Sequence, residues 1–195
     1  MMLKPKRLMA GDTVGLVAPC YGVNLGDAEE PLAQMEQMGY RTKVSRHFYD
    51  RDWTFAASVE KRAEDFNEMA ADDEVKMVIF GGGEVSNEIL PYMDFDLIRK
   101  HPKIYCSYSD GTTPLNAITS LTGLVTYYGA DPGVPGGKNL YSARSLAAAI
   151  NTGTAPYTFE KCSEWTTLRG GECSGELIGG FLANFALMFG GSYLR

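Results

Sequence analysis

Short strand-like runs alternate with stretches of helical spacing along most of the chain. Helical spacing of apolar residues predicts four helices: Ala28–Met38, Val59–Ala70 with Ser58 as N-cap, a short helix from Asp94, and Thr112–Leu121. Runs bounded by turn residues predict five strands: Thr13–Ala18, Tyr40–Ser45, Val75–Phe80, Lys103–Cys106 and Leu124–Tyr128. This alternation predicts an α/β fold, a doubly wound parallel sheet of the flavodoxin or Rossmann type with right-handed crossovers.

The composition changes after Gly129, where residues 131–137 have the Pro and Gly content of a linker. We therefore expect an N-terminal α/β domain over residues 1–130, followed by a linker and an incomplete second α/β domain over residues 131–195. About 60 residues form only a marginal domain. Within them the spacing predicts a helix over Ser142–Ile150. The uncharged run Leu177–Tyr193 is too short to span a bilayer, and it predicts a core segment.

The composition narrows the classes of ligand. The 195 residues are 45% hydrophobic and carry a formal net charge of −6, which argues against nucleic-acid and membrane partners, because both are bound by clustered Lys and Arg. A small molecule or peptide is the expected ligand, and no metal or cofactor is predicted because Cys and His do not cluster. The cysteines Cys20, Cys106, Cys162 and Cys173 are expected to be reduced core thiols of a cytoplasmic protein.

Ligands bind such sheets at the carboxyl ends of the strands. Four groups are predicted to lie at this edge: Pro19–Tyr21, His47, Gly81–Glu84 and Ser109–Asp110. Ser109 lies between a strand and a helix in a small-x-Ser-x-Gly pattern, which is typical of the nucleophile elbow of hydrolases. Such a turn presents a hydroxyl to a helix N-terminus, whose N–H groups and dipole favour an oxyanion.

A serine in a βα turn also caps helices, and this is the alternative interpretation of Ser109. Asp110 would cap the helix equally well, which would leave the Ser109 hydroxyl free. As a nucleophile, Ser109 would use the Asp110 N–H as one oxyanion donor.

Gly82 and Gly83 are candidates for the second oxyanion donor, because a backbone without side chains can approach a ligand closely. A flexible loop or a phosphate cradle is the alternative for this glycine loop. The loop lacks both the G-x-G-x-x-G pattern and a P-loop lysine, which disfavours dinucleotide binding. A flavodoxin-like nucleotide-binding protein that uses this loop is a further, weaker alternative.

A nucleophilic serine needs a base, and the chain's two histidines both precede Ser109. His101 is excluded because it lies at the amino end of the predicted strand, about six residues at ~3.3 Å each, or roughly 20 Å, from Ser109. His47 lies at the correct edge, and a surface histidine is its alternative interpretation. Three carboxylates are available to orient it: Asp50, Asp52 and Glu84.

Several segments, taken in their order along the chain, resemble the sequence of a known protein family. Gly82–Asp94 leads toward the elbow, Tyr108–Asp110 with Thr112 forms a Tyr-Ser-Asp-x-Thr motif, and Thr122–Gly129 follows it. In this order they resemble the L,D-carboxypeptidases of the S66 serine peptidase family over nearly the whole chain. Gly81, where the murein branch usually has Arg, favours the microcin C self-immunity-like branch.

The resemblance implies a hydrolase with a Ser-Glu-His triad. Its substrate would be the C-terminal residue of a murein-type L,D-peptide, cleaved during peptidoglycan recycling, or a related peptidyl or aminoacyl nucleotide. Family members often pair, so a homodimer is implied as well. The implied site residues are the nucleophile Ser109, oxyanion donors at Asp110, Gly82 and Gly83, and substrate-edge residues Glu84, Ser86 and Asn87.

The chain also departs from the family pattern. Ser107 stands where the family has Gly, Gly111 where it usually has Ile, and Phe181 where it has Asn. The family places its Glu and His in a C-terminal domain, so neither is expected within these 195 residues, and the chain alone is expected to have little activity. A catalytically inactive relative that binds peptides is the alternative function.

Overall fold

The computed structural model describes residues 2–129, 140–151, 158–161 and 165–195. Five strands form one parallel sheet in the order β2-β1-β3-β4-β5. The strands are β1 (Thr13–Val17), β2 (Arg41–Val44), β3 (Val75–Phe80), β4 (Ile104–Ser107) and β5 (Tyr127–Tyr128). This flavodoxin-like order reverses between β1 and β3, which opens a crevice at the carboxyl ends of these two strands.

Helices cover both faces of the sheet, as the alternating pattern predicts. They are α1 (Leu25–Gln37), α2 (Val59–Ala71), α3 (Phe95–Lys100), α4 (Thr112–Thr122), α5 (Leu140–Asn151) and α6 (Leu182–Ala186). Two 3-10 helices, Ser86–Tyr92 and Ser109–Gly111, follow β3 and β4. The sequence pattern did not predict the first of these, which begins after Val85 in the left-handed region at φ 67°.

Side chains of β3 alternate between two buried clusters, which explains its nearly continuous apolar sequence. Val78 and Phe80 pack with α2, α3 and α4, whereas Met77 and Ile79 pack with α1 and α5. On the first face, Phe66 of α2 lies edge-on to Phe80 at 5.6 Å and stacks on Tyr105 at 5.7 Å between ring centroids. Burial on both faces therefore positions the strand ends rigidly.

Two predicted details at element ends need correction. The last strand is shorter than the predicted Leu124–Tyr128, because Leu124 instead forms a separate bridge with Leu3 near the N-terminus. Ser58 occupies the N-cap of α2, but its side chain makes no capping hydrogen bond. Asp94 does cap α3, since its carboxylate accepts from the Leu97 N–H at 2.8 Å.

The part of the chain after residue 129 packs unevenly. The predicted linker 131–137 and Cys162 lie outside the described residues. The predicted helix over Ser142–Ile150 is confirmed as α5, and its Leu146 and Ile150 join the cluster on the α1 face. The division into domains at residue 130 stays a prediction.

The prediction that Leu177–Tyr193 is a core segment is wrong. Leu177 is 99% exposed and Leu182 is 75% exposed. The five-residue α6 contacts α4 but no second layer covers its other side within the described residues, so most of the run stays exposed. Cys173 is likewise exposed, against the prediction, whereas Cys20 and Cys106 are buried, as predicted. No helix within the described ranges is long and apolar enough to cross a membrane.

Ser107 and Gly111, the two departures that flank the elbow, pack against each other. Ser107 is fully buried and donates to the Phe80 carbonyl at 2.8 Å. A Cβ at Gly111 would lie 2.1 Å from the Ser107 Oγ, a distance at which atoms overlap. The larger residue at 107 therefore requires the smaller one at 111, and the two departures compensate each other sterically.

Gly111→Ala is expected to lower the free energy of unfolding by about 1–3 kcal/mol, because its φ of −57° suits alanine and the cost is overpacking alone. Ser107→Gly in the same chain should remove most of that loss. Urea unfolding of both single variants and the double variant measures the coupling. Gly26→Ala, where a Cβ would meet nothing within 4 Å, is the control. An equal loss from Gly111→Ala in both backgrounds would contradict the steric pairing.

Candidate active site

The chain turns sharply at Ser109, between β4 and α4. Tyr108 is extended, with φ −147° and ψ 178°, and Ser109 has a φ of 52°, in the left-handed region. A non-glycine residue held there costs on the order of 1–3 kcal/mol, and such strain concentrates at functional sites. The position between a parallel strand and a helix, together with this φ, is the geometry of a nucleophile elbow.

Hydrogen bonds hold the backbone of the elbow. The Ser109 N–H donates to the Tyr128 hydroxyl at 3.0 Å, and the Thr112 hydroxyl donates to the Ser109 carbonyl at 2.6 Å. The Ser109 hydroxyl forms no hydrogen bond with another described residue. The backbone is thus restrained while the reactive group stays available beside the N-terminus of α4.

The glycine loop that follows β3 contacts the elbow directly. A Cβ at Gly82 would lie 2.7 Å from the Ser109 Cβ and 3.2 Å from its Oγ. A Cβ at Gly83 would lie 2.7 Å from the Cys20 Cβ, whereas one at Gly81 would meet nothing within 4 Å. Steric crowding, rather than loop flexibility alone, therefore requires glycine at Gly82, which contacts Ser109, and at Gly83, which contacts Cys20.

The Asp110 carboxylate lies fully buried beneath the elbow. It accepts hydrogen bonds from the Ser86 N–H at 2.7 Å, the Cys20 thiol at 3.2 Å and the Asn184 amide at 2.5 Å. The Ser86 hydroxyl donates in return to the Asp110 carbonyl at 2.7 Å. One carboxylate thus joins the ends of β1, β3 and β4 to α6.

This arrangement corrects the expectation that Asp110 caps the following helix. Gly111 occupies the N-cap of α4, and no side chain caps it. The Asp110 carboxylate instead accepts from donors distant in sequence, which a local capping pattern cannot reveal.

Cys20 follows β1 and lies beside Gly83 of the glycine loop. Burial raises the pKa of its thiol well above the usual range, and the negative charge of Asp110 raises it further. The sulfur therefore stays protonated and serves as a donor to Asp110. The Arg62 guanidinium, 3% exposed, donates to the neighbouring Pro19 carbonyl at 2.7 Å and to Glu88 at 2.8 Å, and it braces the end of β1 against the 3-10 helix after β3.

A cleft of about 460 Å³ lies along the carboxyl ends of β1 and β3, beside the elbow. Gly82 and Tyr108 line it on the elbow side, and Asp27, Pro31 and Phe48 line it on the α1 side. Its volume lies in the range of small-ligand sites. The crevice expected at the switch point of the sheet is therefore open and reaches Tyr108, the residue before Ser109.

The three residues predicted to lie at the substrate edge occupy different environments. Glu84 is exposed, and its hydrogen bond raises the pKa of the Tyr21 hydroxyl. Asn87 is half-buried in the 3-10 helix, and Ser86 is fully buried on Asp110. Their contact with a substrate stays a prediction.

Neither histidine lies within hydrogen-bond distance of Ser109. The His47 Nδ1 is 2.8 Å from the Asp50 carboxylate, and its Nε2 is 3.9 Å from the Glu64 carboxylate. His101 pairs with Asp73 at 3.0 Å at the amino edge of the sheet. Both imidazoles therefore interact with carboxylates that are not part of the elbow, His47 with Asp50 and His101 with Asp73.

Of the three carboxylates predicted to orient His47, Asp50 is the one that hydrogen-bonds its ring among the described residues. Asp52 pairs with Phe55 through its backbone, and Glu84 bonds Tyr21. The bond to His47, with a smaller contribution from Lys61, holds the pKa of Asp50 below its usual range.

A segment near the C-terminus lies along α4 behind the elbow. The Asn116 side chain donates to the Gly179 carbonyl at 2.8 Å and accepts from its N–H at 3.1 Å. The Phe181 N–H donates to the Thr112 hydroxyl at 2.9 Å. These bonds place Asn184 against Asp110, so the segment supports the elbow although most of its side chains are exposed.

Sequence reasoning missed Tyr128, Cys20 and Asn184 as contributors to this site. Each lies at a strand end or in a distant segment, and only the sheet order brings it to the elbow. The predicted strand ends did place Cys20 at the correct edge, which was the one available signal. Among the described residues, no group of three His, Cys, Asp or Glu side chains is arranged to hold a metal ion.

Several known proteins are similar to this chain. A probable murein peptide carboxypeptidase of Bacillus subtilis (strain 168) is 37% identical over 185 residues, which cover 92% of this chain and 57% of the relative. The chain thus spans a little over half the length of that relative. A crystal structure of an MccF-like protein from Bacillus anthracis str. Ames superposes with a TM-score of 0.87 at 27% identity, covering 100% of this chain and 67% of that one.

A structure of microcin C7 self-immunity protein MccF in complex with aspartyl sulfamoyl adenosine has a TM-score of 0.82 at 23% identity, covering 99% of this chain and 67% of that chain. These neighbours agree with the expected lean toward the self-immunity branch. Residues 14–129, which include β1, the glycine loop, the elbow and β5, match the LD-carboxypeptidase N-terminal domain of Peptidase_S66. The chain therefore belongs to the S66 family of LD-carboxypeptidases.

Proposed function

We propose that Ser109 is the nucleophile of a serine carboxypeptidase that hydrolyses the C-terminal bond of a small peptide or a related peptidyl nucleotide. The observation that carries the proposal is the left-handed φ of 52° at Ser109, with its hydroxyl unbonded and Gly82 in contact. A helix cap would need no such strain, and the Ser109 side chain makes no capping bond to α4.

Backbone N–H groups would stabilise the charge that develops on the scissile carbonyl oxygen. The Asp110 N–H follows the nucleophile directly, which is the usual first donor of an elbow. Gly82 and Gly83 offer a second donor from the neighbouring strand's loop, which lies in contact with Ser109 and Cys20. The N-terminus of α4 adds the positive end of its dipole.

The reaction would then follow acyl transfer. The Ser109 Oγ attacks the carbonyl carbon while a base takes its proton, the C–N bond breaks as that proton passes to the leaving amine, and water hydrolyses the acyl-enzyme. Because both histidines pair with other carboxylates, we propose that the His and Glu of the triad come from outside these 195 residues. A serine without its base stays protonated, so the 195-residue chain alone is expected to have little activity.

The substrate proposed is the C-terminal residue of a murein-type L,D-peptide, or a peptidyl or aminoacyl nucleotide. The cleft of about 460 Å³ beside the elbow has room for one end of such a molecule. The name of the Bacillus subtilis relative supports the murein substrate, and the aspartyl sulfamoyl adenosine bound to MccF supports the nucleotide. Glu84 and Asn87 would contact the substrate at the rim, while Ser86 supports the loop from below.

Ser109→Ala in the intact protein is expected to lower the rate of hydrolysis by about 10³-fold or more, because no other nucleophile can form the acyl-enzyme. The measurement is release of the C-terminal amino acid from a murein-type tetrapeptide, and release of the amino acid together with sulfamoyl adenosine from an aminoacyl sulfamoyl adenosine. Ser58→Ala is the control, since that side chain makes no capping bond. Binding of these peptides without turnover by the wild type would instead favour a non-catalytic peptide-binding protein.

Gly82→Ala is expected to lower kcat by about 10²-fold, the usual cost of losing one oxyanion donor. The added Cβ would press on the Ser109 side chain at 2.7 Å and displace either the nucleophile or the loop. Gly81→Ala is the matched control because its Cβ would meet nothing within 4 Å. Equal activity of the two variants would show that Gly82 does not take part in the site.

A further inference from the structure

We propose that the buried Asp110 side chain is a positioning residue that sets the distance between the two halves of the oxyanion site. This inference rests on the proposed function of Ser109. The first donor, the Asp110 N–H, belongs to the elbow, and the second belongs to the glycine loop. Two loops of different strands must therefore be held in one register, and the Asp110 carboxylate, which belongs to the elbow, accepts from Ser86 at the far end of the glycine loop.

The bond between Asp110 and Ser86 is reciprocal. The Ser86 N–H donates to the Asp110 carboxylate at 2.7 Å, and the Ser86 hydroxyl donates to the Asp110 carbonyl at 2.7 Å. The same hydroxyl lies 2.9 Å from the Thr113 hydroxyl of α4. Both residues are fully buried, where exchange with water cannot replace a lost bond and an unpaired group is costly.

This reciprocal pair fixes the far end of the glycine loop. The near end continues β3 through Gly81, and between the two ends Gly82 touches Ser109. Val85, directly before Ser86, is held at φ 67°. A loop anchored at both ends has few positions for the N–H groups of Gly82 and Gly83, so the carboxylate controls their placement without touching the substrate.

Cys20 anchors the same carboxylate from the end of β1. Its thiol donates to Asp110 at 3.2 Å, and its Cβ fills the space beside Gly83. The Asn184 amide completes the set at 2.5 Å. Asp110 therefore receives donors from three segments that lie far apart in sequence, and its removal takes this acceptor from two buried donors, the Ser86 N–H and the Cys20 thiol.

The test compares Asp110→Ala with Asp65→Ala. Asp65 is also buried, and its carboxylate accepts from the Ser45 hydroxyl at 2.6 Å and from the His47 N–H at 3.1 Å, but it makes no contact with the elbow or the glycine loop. Both variants lose a buried carboxylate that pairs with a serine and a backbone N–H. A general loss of stability should therefore be similar in the two, and thermal unfolding measures it.

Two readouts distinguish positioning from stability. In the intact protein, Asp110→Ala is expected to lower kcat by about 10²-fold with KM changed by less than about 3-fold, while Asp65→Ala keeps kcat within about 3-fold. In the chain itself, ¹⁵N relaxation should show increased motion of the Gly82 and Gly83 amides in Asp110→Ala and none in Asp65→Ala. This second readout needs no catalytic activity, so it decides the inference even if the proposed hydrolysis fails.

Two milder variants, both at Cys20, test the inference if Asp110→Ala does not fold. Cys20→Ala removes one donor and should lower kcat several-fold and loosen the Gly83 amide, whereas Cys20→Ser keeps a donor and should restore both. The inference is overturned if Asp110→Ala leaves kcat and the loop amides as they are in Asp65→Ala, or if Cys20→Ser behaves like Cys20→Ala.

Discussion

The contact between Ser109 and Gly82 is the constraint on which the site depends. It requires the carboxyl ends of β3 and β4 to approach so closely that a single Cβ would not fit at Gly82. The serine in turn adopts a left-handed φ, because only four residues, 108–111, connect β4 to α4. The surrounding core of Phe66, Phe80 and Tyr105 holds both strands in place against that strain.

The same crowding explains the two departures that flank the elbow. Ser107 replaces a family glycine and uses the space that Gly111 leaves, and its hydroxyl gains a bond to the Phe80 carbonyl. Considered separately, each of the two substitutions departs from the family motif. Together they compensate each other sterically. The departures at 107 and 111 are sterically consistent with a functional elbow.

Much of the fold followed from pattern alone. Local periodicity predicts the strands and the helices, and their alternation predicts the parallel doubly wound sheet. The nearly continuous apolar sequence of β3 indicates that both faces of the sheet are buried. The errors lay where local signals are weak or mislead. Leu177 and Leu182 are apolar but have no layer to pack against in the described residues, and Asp110 had the sequence of a helix cap but lies buried beneath the elbow.

The sequence by itself determined the strand–helix order, the position of Ser109 at a strand end and the resemblance to a serine peptidase family, because these depend on residues close together in the chain. Only the tertiary structure decided which groups meet there. Ser86, Cys20 and Asn184 lie up to 90 residues from Asp110 along the chain, and their bonds to it exist because the sheet order brings β1, β3 and β4 to one edge. Hydrogen bonds act over about 3 Å, so partners so distant in sequence become visible only in the folded chain.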